Sequence, residues 1–443
     1  MISINFIISL IKQMERIKPL TMLLTHTKSC LYANHSRSFS NSNNIAFNAA
    51  NNIDNDKIDR NELETIAIKT GKEKMLSDFK EHTTIEDLVN IINPKLGEIC
   101  PRKYMKVITG KLDIFYLMEK NTATKFVQLI INDLSKDISF VAECNPGIGI
   151  LTEELLEAGI KKIYAYETNH CFYPTLNKLQ TKYPNRLDIR NANLIEMGKI
   201  HFMDQQNNTN RIKTILNGIP DIPWENESTY MQVIGVCTNM KFFKHLILAI
   251  VFRTSCMKFG RPSFYMAVTP SIWNGLSSRS NRAMLHYIYI NYQILFNCKY
   301  LGDIERVSYI PWAKKIVRYK NKIHDHEILK VIKIEPKAEL FNKYLKLEEI
   351  IPYWYFLKYH YTDQDKRVIP ELEKWVPGCG LKLIRMNYSI FTRFIDLTPI
   401  ECFNLYKEFT SWPEFKSSMF LSSAHNYVQL FNQINIPTKV KEI

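Results

Sequence analysis

The chain has 443 residues, of which 46% are hydrophobic, so it can bury one large core and a smaller second one. Aromatic residues are plentiful and only 14 residues are glycine, which excludes a low-complexity or wholly disordered chain. The formal charge is +14, and residues 94–443 carry all of it, because the charges of residues 1–44 and 45–93 cancel. A folded region of this charge suits a phosphate backbone, although a basic soluble surface without such a partner has the same composition.

The nine cysteines are scattered along the chain, with no CxxC pair and no Cys/His cluster at the spacing of metal ligands. This pattern argues against a disulfide scaffold and against a zinc module. We therefore expect reduced, mostly buried thiols and no metal site.

The first 44 residues contain five basic side chains and a single acidic one, and they end in a Ser/Asn-rich stretch. This composition is typical of a mitochondrial transit peptide, so it predicts mitochondrial import. The apolar run at residues 1–11 could instead belong to a secretory signal, but no positive charge precedes it. Elsewhere the longest apolar run, at residues 245–252, is far shorter than the ~20 residues that cross a bilayer, so no membrane insertion is expected.

Residues 45–93 form a polar, acidic linker, with a short amphipathic helix expected at residues 62–75. A folded core follows over residues 94–335. Its pattern alternates between strands and helices, which predicts βαβ crossovers and a parallel sheet covered on both faces. The expected strands are residues 138–143, 162–167, 187–190, 232–236 and 263–268, and the expected helices are residues 151–158, 175–182 and 241–257.

The last part of the core and the rest of the chain follow other patterns. Two short β-like runs, at residues 299–308 and 328–335, predict an antiparallel hairpin at the sheet edge. Residues 336–443 then change to helical segments broken by prolines, which predicts a small C-terminal helical domain.

The most informative segment is FVAECNPGIGILTEELLEAG, at residues 140–159. A β-branched and aromatic strand ends at Glu143, the tight turn CNPGIG follows, and a helix starts at once. Gly147 and Gly149 allow positive φ and let the backbone approach a ligand, and the helix N-terminus offers free N–H groups. The segment therefore predicts a nucleotide-like ligand across this turn.

The residues around this turn discriminate between possible ligands. A dinucleotide fingerprint would have a third glycine at the position of Thr152 and would not need an acid at the strand end. S-adenosylmethionine carries cationic ammonium and sulfonium groups, which match Glu143. Glu167 ends the second strand, where a carboxylate can accept both ribose hydroxyls, and Asn193 follows the third strand, where an amide can bond the adenine edge.

The segments ECNPGIGILTEELLEAG and YAYE resemble the cofactor motif of the rRNA adenine dimethyltransferases, particularly the mitochondrial branch that includes the mitochondrial B-type transcription factors. Shorter matches extend the resemblance over residues 94–420. It implies an α/β architecture of the class I S-adenosylmethionine-dependent methyltransferase type, with a Rossmann-like, mostly parallel seven-stranded sheet, a C-terminal helical domain and an RNA stem-loop substrate. It also implies a site for S-adenosyl-L-methionine that is lined by Glu143, Asn145, Gly147, Gly149, Glu167 and Asn193.

One departure from the family concerns the base that would receive the methyl group. Adenine methylases of this family present an Asn-(Leu/Pro)-Pro-(Tyr/Phe) loop after the fourth strand, which holds the target amine and stacks on the flipped base. At this place the chain reads Gly235-Val236-Cys237-Thr238. The upstream segment at residues 217–220, Asn-Gly-Ile-Pro, is interpreted as a turn, with a displaced active site as the alternative. We expect weak or absent methylation, since misplaced reacting groups can cost ~100-fold or more in rate.

Binding of nucleic acid would use other residues. A basic stretch with interleaved aromatic residues would suit a groove for a single strand, and its candidate contacts are Arg261, Trp312, Lys314, Lys315 and Arg318. The alternative is a solvated edge whose aromatic residues belong to the core.

With the resemblance, these features favour a monomeric mitochondrial transcription initiation factor that assists the mitochondrial RNA polymerase on promoter DNA in the matrix nucleoid. An active enzyme that dimethylates adenines in the mitochondrial small-subunit rRNA remains an alternative, because the cofactor motif is intact. A nicotinamide-dependent oxidoreductase is a third alternative, against which Thr152 and Glu143 argue.

Overall fold

The structure is a computed structural model that describes residues 85–105, 114–134, 140–220, 222–226, 229–312 and 325–434. All described residues belong to one compact unit of the chain. The expected transit peptide and the helix expected at residues 62–75 lie outside the described residues.

The described residues form helices and strands that alternate along most of the core. Up to the end of the sheet they are α1 (Ile85–Ile92), α2 (Pro94–Ile99), β1 (Tyr116–Leu117), α3 (Lys120–Ile130), β2 (Val141–Cys144), α4 (Ile150–Glu157), β3 (Ile163–Tyr166), α5 (Tyr173–Lys182), β4 (Leu187–Arg190), α6 (Met197–Asn207), α7 (Arg211–Ile215), β5 (Met231–Val236), α8 (Met240–Val251), β6 (Pro262–Val268), α9 (Pro270–Ser277), α10 (Ala283–Leu295), β7 (Phe296–Glu305), β8 (Tyr309–Ile310) and β9 (Ile328–Pro336). The C-terminal helices are α11 (Ile350–His360), α12 (Val368–Glu373), α13 (Gly380–Arg385), α14 (Pro399–Ser411) and α15 (Phe420–Ile434).

Seven strands form one sheet in the order β4-β3-β2-β5-β6-β9-β7. The pairs from β4 to β6 are parallel, and β9 lies antiparallel between β6 and β7. The order reverses between β2 and β5, so a crevice opens there at the carboxyl ends of the strands. This sheet, followed by helices, is the class I methyltransferase fold, and it confirms the predicted fold class.

The predicted elements match the observed ones closely. The late hairpin is confirmed, because β7 and β9 pair antiparallel over Phe296↔Pro336 to Glu305↔Ile328 at the sheet edge. The helix expected to reach residue 257 was too long, since α8 ends at Val251. Arg253 and Ser255 adopt positive φ values of 50° and 55°, which an α-helix does not accommodate.

Two hydrophobic clusters cover the two faces of the sheet. The first contains Ala142 and Val233 and continues through Trp354 of α11 to Ala424 of α15, so the C-terminal helices share a core with the sheet. The second contains Val141 and Ile234 and is closed by α3 and α4. Burial on both faces explains why the inner parallel strands are largely apolar, whereas the edge strand β4 contains Asp188 and Arg190.

A second, two-stranded sheet, the ribbon of β1 and β8, lies beside the cofactor turn, which comprises residues 144–149. β1 and β8 pair antiparallel, with Tyr116 opposite Ile310 and Leu117 opposite Tyr309. The Arg306 guanidinium is buried and donates to the carbonyl oxygens of Tyr309 and Pro311, at 2.5 and 2.6 Å. This ribbon was not predicted, because each of its strands has only two residues. No helix in the described part of the chain is long and apolar enough to cross a membrane.

Candidate cofactor site

The turn after β2 has the backbone conformation that the two glycines suggested. Gly147 and Gly149 adopt φ values of 60° and 85°, and Asn145 adopts 53°. A Cβ atom at Gly149 would lie 3.0 Å from Leu179 Cδ2 and 3.1 Å from Leu176 Cδ2, at a φ of 85° that side-chain-bearing residues rarely adopt, so glycine is strongly favoured where α4 starts beside α5. The turn therefore brings the start of α4 directly to the carboxyl end of β2.

Glu143 is the most unusual group of the site. Its side chain is 1% exposed, and its Oε2 has no hydrogen-bond partner among the described residues. Burial raises the pKa of Glu143 to about 8, the Thr152 hydroxyl lowers it, and the negative charge of Glu167 raises it further. A buried carboxyl group with an oxygen that receives no hydrogen bond is suited to a positively charged ligand.

Glu167 follows β3 and is fully buried. Its Oε2 accepts from the Gly147 N–H at 3.1 Å, and its Oε1 accepts from the Asn169 N–H at 2.8 Å. The Tyr116 hydroxyl also donates to Oε1, at 3.3 Å. Burial raises the pKa of Glu167, and these hydrogen bonds lower it. The carboxylate is thus fixed at the turn and keeps acceptor capacity on Oε2.

Asn145 and Asn193 contribute amides at the same edge of the sheet. Asn193 follows β4, and its Oδ1 accepts from the Ile195 N–H at 3.0 Å, while its Nδ2 is buried without a partner among the described residues. The Oδ1 of Asn145 is likewise buried and unsatisfied within the described part of the chain. The structure therefore brings all six predicted residues to the carboxyl edge of β2, β3 and β4.

Sequence reasoning missed two tyrosines that the ribbon delivers to this edge. Tyr116 lies against Gly147, where an added Cβ would be 2.9 Å from Tyr116 Cδ1. Tyr309 is buried near Glu143. Burial raises the pKa of the Tyr309 hydroxyl, and the negative charge of Glu143 raises it further. No local pattern marks either residue, because the two strands are almost 200 positions apart in the chain and meet only in the fold.

These residues fit S-adenosylmethionine, as an unsatisfied buried carboxyl oxygen and two unsatisfied amide atoms lie beside a glycine turn. Glu143 suits a cationic group, Glu167 a ribose hydroxyl and Asn193 an adenine nitrogen. A pyrophosphate would meet two carboxylates here, which disfavours a dinucleotide and with it the oxidoreductase alternative.

A scan against protein-family models finds no match. Among curated proteins, the chain is 29% identical over 392 residues to a Drosophila melanogaster protein named dimethyladenosine transferase 2, mitochondrial, covering 78% of this chain and 85% of that protein. The Homo sapiens protein of the same name is 24% identical over 291 residues, covering 62% and 72%. The chain is homologous to mitochondrial dimethyladenosine transferase 2. A crystal structure of a dimethyladenosine transferase from Plasmodium falciparum aligns with 67% of this chain and 97% of that chain, at a TM-score of 0.43 and 14% identity.

The place where dimethyladenosine transferases would hold the target base differs in this homologue. β5 ends at Val236, and Cys237 is fully buried with its N–H bonded to the Ala267 carbonyl oxygen. Thr238 and Asn239 follow, and the Asn239 side chain accepts from the Lys241 N–H to cap α8. No residue from Val236 to Asn239 offers an aromatic ring.

The upstream segment at residues 217–220 does not replace this loop. Gly218 has a φ of 87°, as expected of a turn. The chain then reaches Ile222, whose N–H bonds the Phe259 carbonyl oxygen just before β6 begins. The segment thus leads to the amino edge of the sheet, opposite the cofactor turn, which supports the interpretation as a turn.

Of the five predicted nucleic-acid contacts, the structure describes only Arg261 and Trp312. Arg261 must be corrected, because its side chain is 4% exposed and its guanidinium lies 3.1 Å from Glu335 Oε1 and donates to the Trp224 carbonyl oxygen at 2.9 Å. It stabilises the start of β6 and has no surface left for a phosphate. Trp312 is partly buried beside the ribbon, with its Nε1 donating to the Val307 carbonyl oxygen at 3.0 Å. Lys314, Lys315 and Arg318 lie outside the described residues.

Proposed function

We propose that this protein is a mitochondrial transcription initiation factor that assists the mitochondrial RNA polymerase at promoters. The protein has a methyltransferase fold that binds S-adenosylmethionine, and it transfers methyl groups weakly or not at all. The proposed location is the matrix, at the nucleoid. The proposed organisation is the one expected from the sequence, with a transit peptide at residues 1–44, a linker at 45–93, a core at 94–335 and a helical domain at 336–443.

The observation that carries this proposal is a contrast between two parts of one sheet edge. The cofactor side keeps its glycine turn and both carboxylates, Glu143 and Glu167. The segment at residues 236–239, where the family would hold an adenine, contains no aromatic ring. Its amide, Asn239, already caps α8. A scaffold of this kind supports binding better than chemistry, since binding and methyl transfer depend on different residues.

Each candidate residue has a physical role in this proposal. Glu143 compensates the positive charge of the ligand, Glu167 orients the ribose, and the amides of Asn145 and Asn193 receive the remaining polar atoms. The bound cofactor would supply an electrophilic methyl group. The chain itself would hold the adenosyl part and exclude water from it.

The binding of nucleic acid is supported by charge. Residues 94–443 carry the whole formal charge of +14, and the two curated relatives are named dimethyladenosine transferases, which is consistent with a nucleic-acid partner. A basic surface binds DNA and RNA backbones alike, so promoter DNA and mitochondrial rRNA are both candidate partners.

A reconstituted promoter assay tests the proposal. Mitochondrial RNA polymerase is supplied with promoter DNA, with and without the full chain, and initiation is measured. We expect initiation to depend on the chain and to persist in Gly147→Val, which blocks the cofactor turn. Equal initiation with and without the protein would refute the role in transcription.

A second candidate function is the dimethylation of adenines in the mitochondrial small-subunit rRNA, and the intact cofactor turn favours it. Transfer of a labelled methyl group to the rRNA stem-loop measures this activity. Methyl transfer by the wild type that is lost in Gly147→Val would support an active enzyme. No transfer at saturating cofactor would leave only the binding role.

A further inference from the structure

Glu167 accepts several hydrogen bonds from the protein itself, although a carboxylate that binds a ribose needs free acceptor positions. Its Oε1 accepts from the Asn169 N–H at 2.8 Å and from the Tyr116 hydroxyl at 3.3 Å. Its Oε2 accepts from the Gly147 N–H at 3.1 Å. A carboxylate offers about four acceptor positions, two on each oxygen, so Oε1 is saturated. The Thr168 N–H also hydrogen-bonds this carboxylate, so Oε2 has at most one position left.

A ribose presents two neighbouring hydroxyls, which a carboxylate binds best with one oxygen each. To accept both of them, Glu167 must lose one of the two donors on Oε1. The Asn169 N–H is part of the main chain and makes the shorter bond, so the Tyr116 hydroxyl is the donor that can be displaced.

The Tyr116 side chain itself cannot swing away. Its ring is fully buried, with ring centroids at 5.0 Å from Tyr104 and 4.6 Å from Phe172, and it lies against Gly147. The Asn169 Nδ2 donates to its hydroxyl oxygen at 3.4 Å, which leaves the hydroxyl hydrogen for Glu167. A displaced hydroxyl would therefore remain in place and exchange the Glu167 carboxylate for the neutral Tyr104 hydroxyl, which is a weaker acceptor.

We propose that Tyr116 is a specificity residue of the cofactor site, whose hydroxyl competes with the ligand for Glu167. The wild-type protein then recognises one ribose hydroxyl strongly and the second hardly at all. This inference rests on the proposed binding of an adenosyl ligand, and it adds a residue that the cofactor motif does not contain.

The test measures the binding of S-adenosylhomocysteine and its 2′-deoxy and 3′-deoxy forms to the full chain by calorimetry. Tyr116→Phe keeps the ring and removes the competitor. We expect it to bind S-adenosylhomocysteine about three- to tenfold more tightly than the wild type, the range of one net hydrogen bond. At least one deoxy form should bind the wild type nearly as well as the parent ligand and lose the gain in the variant.

The matched control is Tyr292→Phe, which removes another buried hydroxyl, bonded to the Phe243 carbonyl oxygen at 2.9 Å. It should leave the affinity unchanged, and thermal unfolding of both variants checks that they are folded. Unchanged or weaker binding by a folded Tyr116→Phe protein would overturn the competition while cofactor binding stands. If S-adenosylhomocysteine bound neither the wild type nor the variant, the proposed cofactor site itself would fail.

Discussion

Glu143 makes the stability of this protein depend on pH in an unusual direction. Its pKa is raised to about 8 by burial, whereas an unfolded glutamate titrates near ~4.3. The folded protein therefore keeps a proton that the unfolded chain releases. The protonated group favours the fold below the unfolded pKa, and this advantage is lost as the pH rises towards 8.

The replacement Glu143→Gln should remove this dependence. Between about pH 4.3 and 8 the wild type should lose up to about 1.4 kcal/mol per pH unit relative to the variant. Urea unfolding at several pH values measures the difference, in which the other titrating groups cancel. Parallel pH curves for the two proteins would show that Glu143 is not held protonated.

Gly147 allows a test of the turn at the level of single atoms. In Gly147→Ala the new Cβ would lie 2.9 Å from Tyr116 Cδ1 at a φ of +60°, so we expect a loss of about 1–2 kcal/mol and of cofactor binding. The control is Gly159→Ala, where φ is +99° and no heavy atom lies within 4 Å of the new Cβ. Chemical unfolding and ligand titration compare the two. The turn would not be the binding element if Gly147→Ala bound S-adenosylmethionine as tightly as Gly159→Ala.

At the scale of elements, the ribbon of β1 and β8 supports one side of the cofactor site. Arg306 is 5% exposed and satisfies two buried carbonyl oxygens of this ribbon. Arg306→Met should leave both oxygens without a donor and cost about 2–4 kcal/mol. It should also weaken cofactor binding, because Tyr116 and Tyr309 would lose their support.

Chemical denaturation checks this expectation, with Lys330→Met as the control. Lys330 pairs with Asp303 at 3.4 Å on the partly exposed hairpin, where an ion pair contributes about 0–1 kcal/mol. A midpoint for Arg306→Met that equals that of Lys330→Met would mean that the ribbon does not depend on this guanidinium.

The sequence was sufficient for elements whose signal is local. The inner strands of the parallel sheet are largely apolar, and the glycines of the turn after β2 mark both a break and a close approach to a ligand, so these features were predicted. The ribbon was not predictable, because Tyr116 and Ile310 pair across a long stretch of chain. Nor was the role of Arg261 predictable, since a basic residue looks the same in a sequence whether it contacts a phosphate or is buried and paired with a glutamate.

At the scale of the whole molecule, the core is shared by the sheet and the C-terminal helices. One hydrophobic cluster runs from Phe140 to Ala424, and Trp354 of α11 donates to the Tyr287 hydroxyl of α10 at 2.8 Å. The boundary at residues 335 and 336 stays a prediction. The shared core implies that the helical part supports the sheet and, through it, the edge where the ligand would lie.

The proposed cofactor site depends on a buried carboxyl group that receives a cationic adenosyl ligand. Calorimetric titration of the intact chain with S-adenosylmethionine at pH 7, in two buffers of different ionisation enthalpy, counts the protons exchanged on binding. We predict one site per chain and the release of about one proton, because Glu143 must ionise to meet the ligand, and no release in Glu143→Gln. The absence of ligand binding, or binding that released no proton and was unaffected by Glu143→Gln, would contradict this role of Glu143.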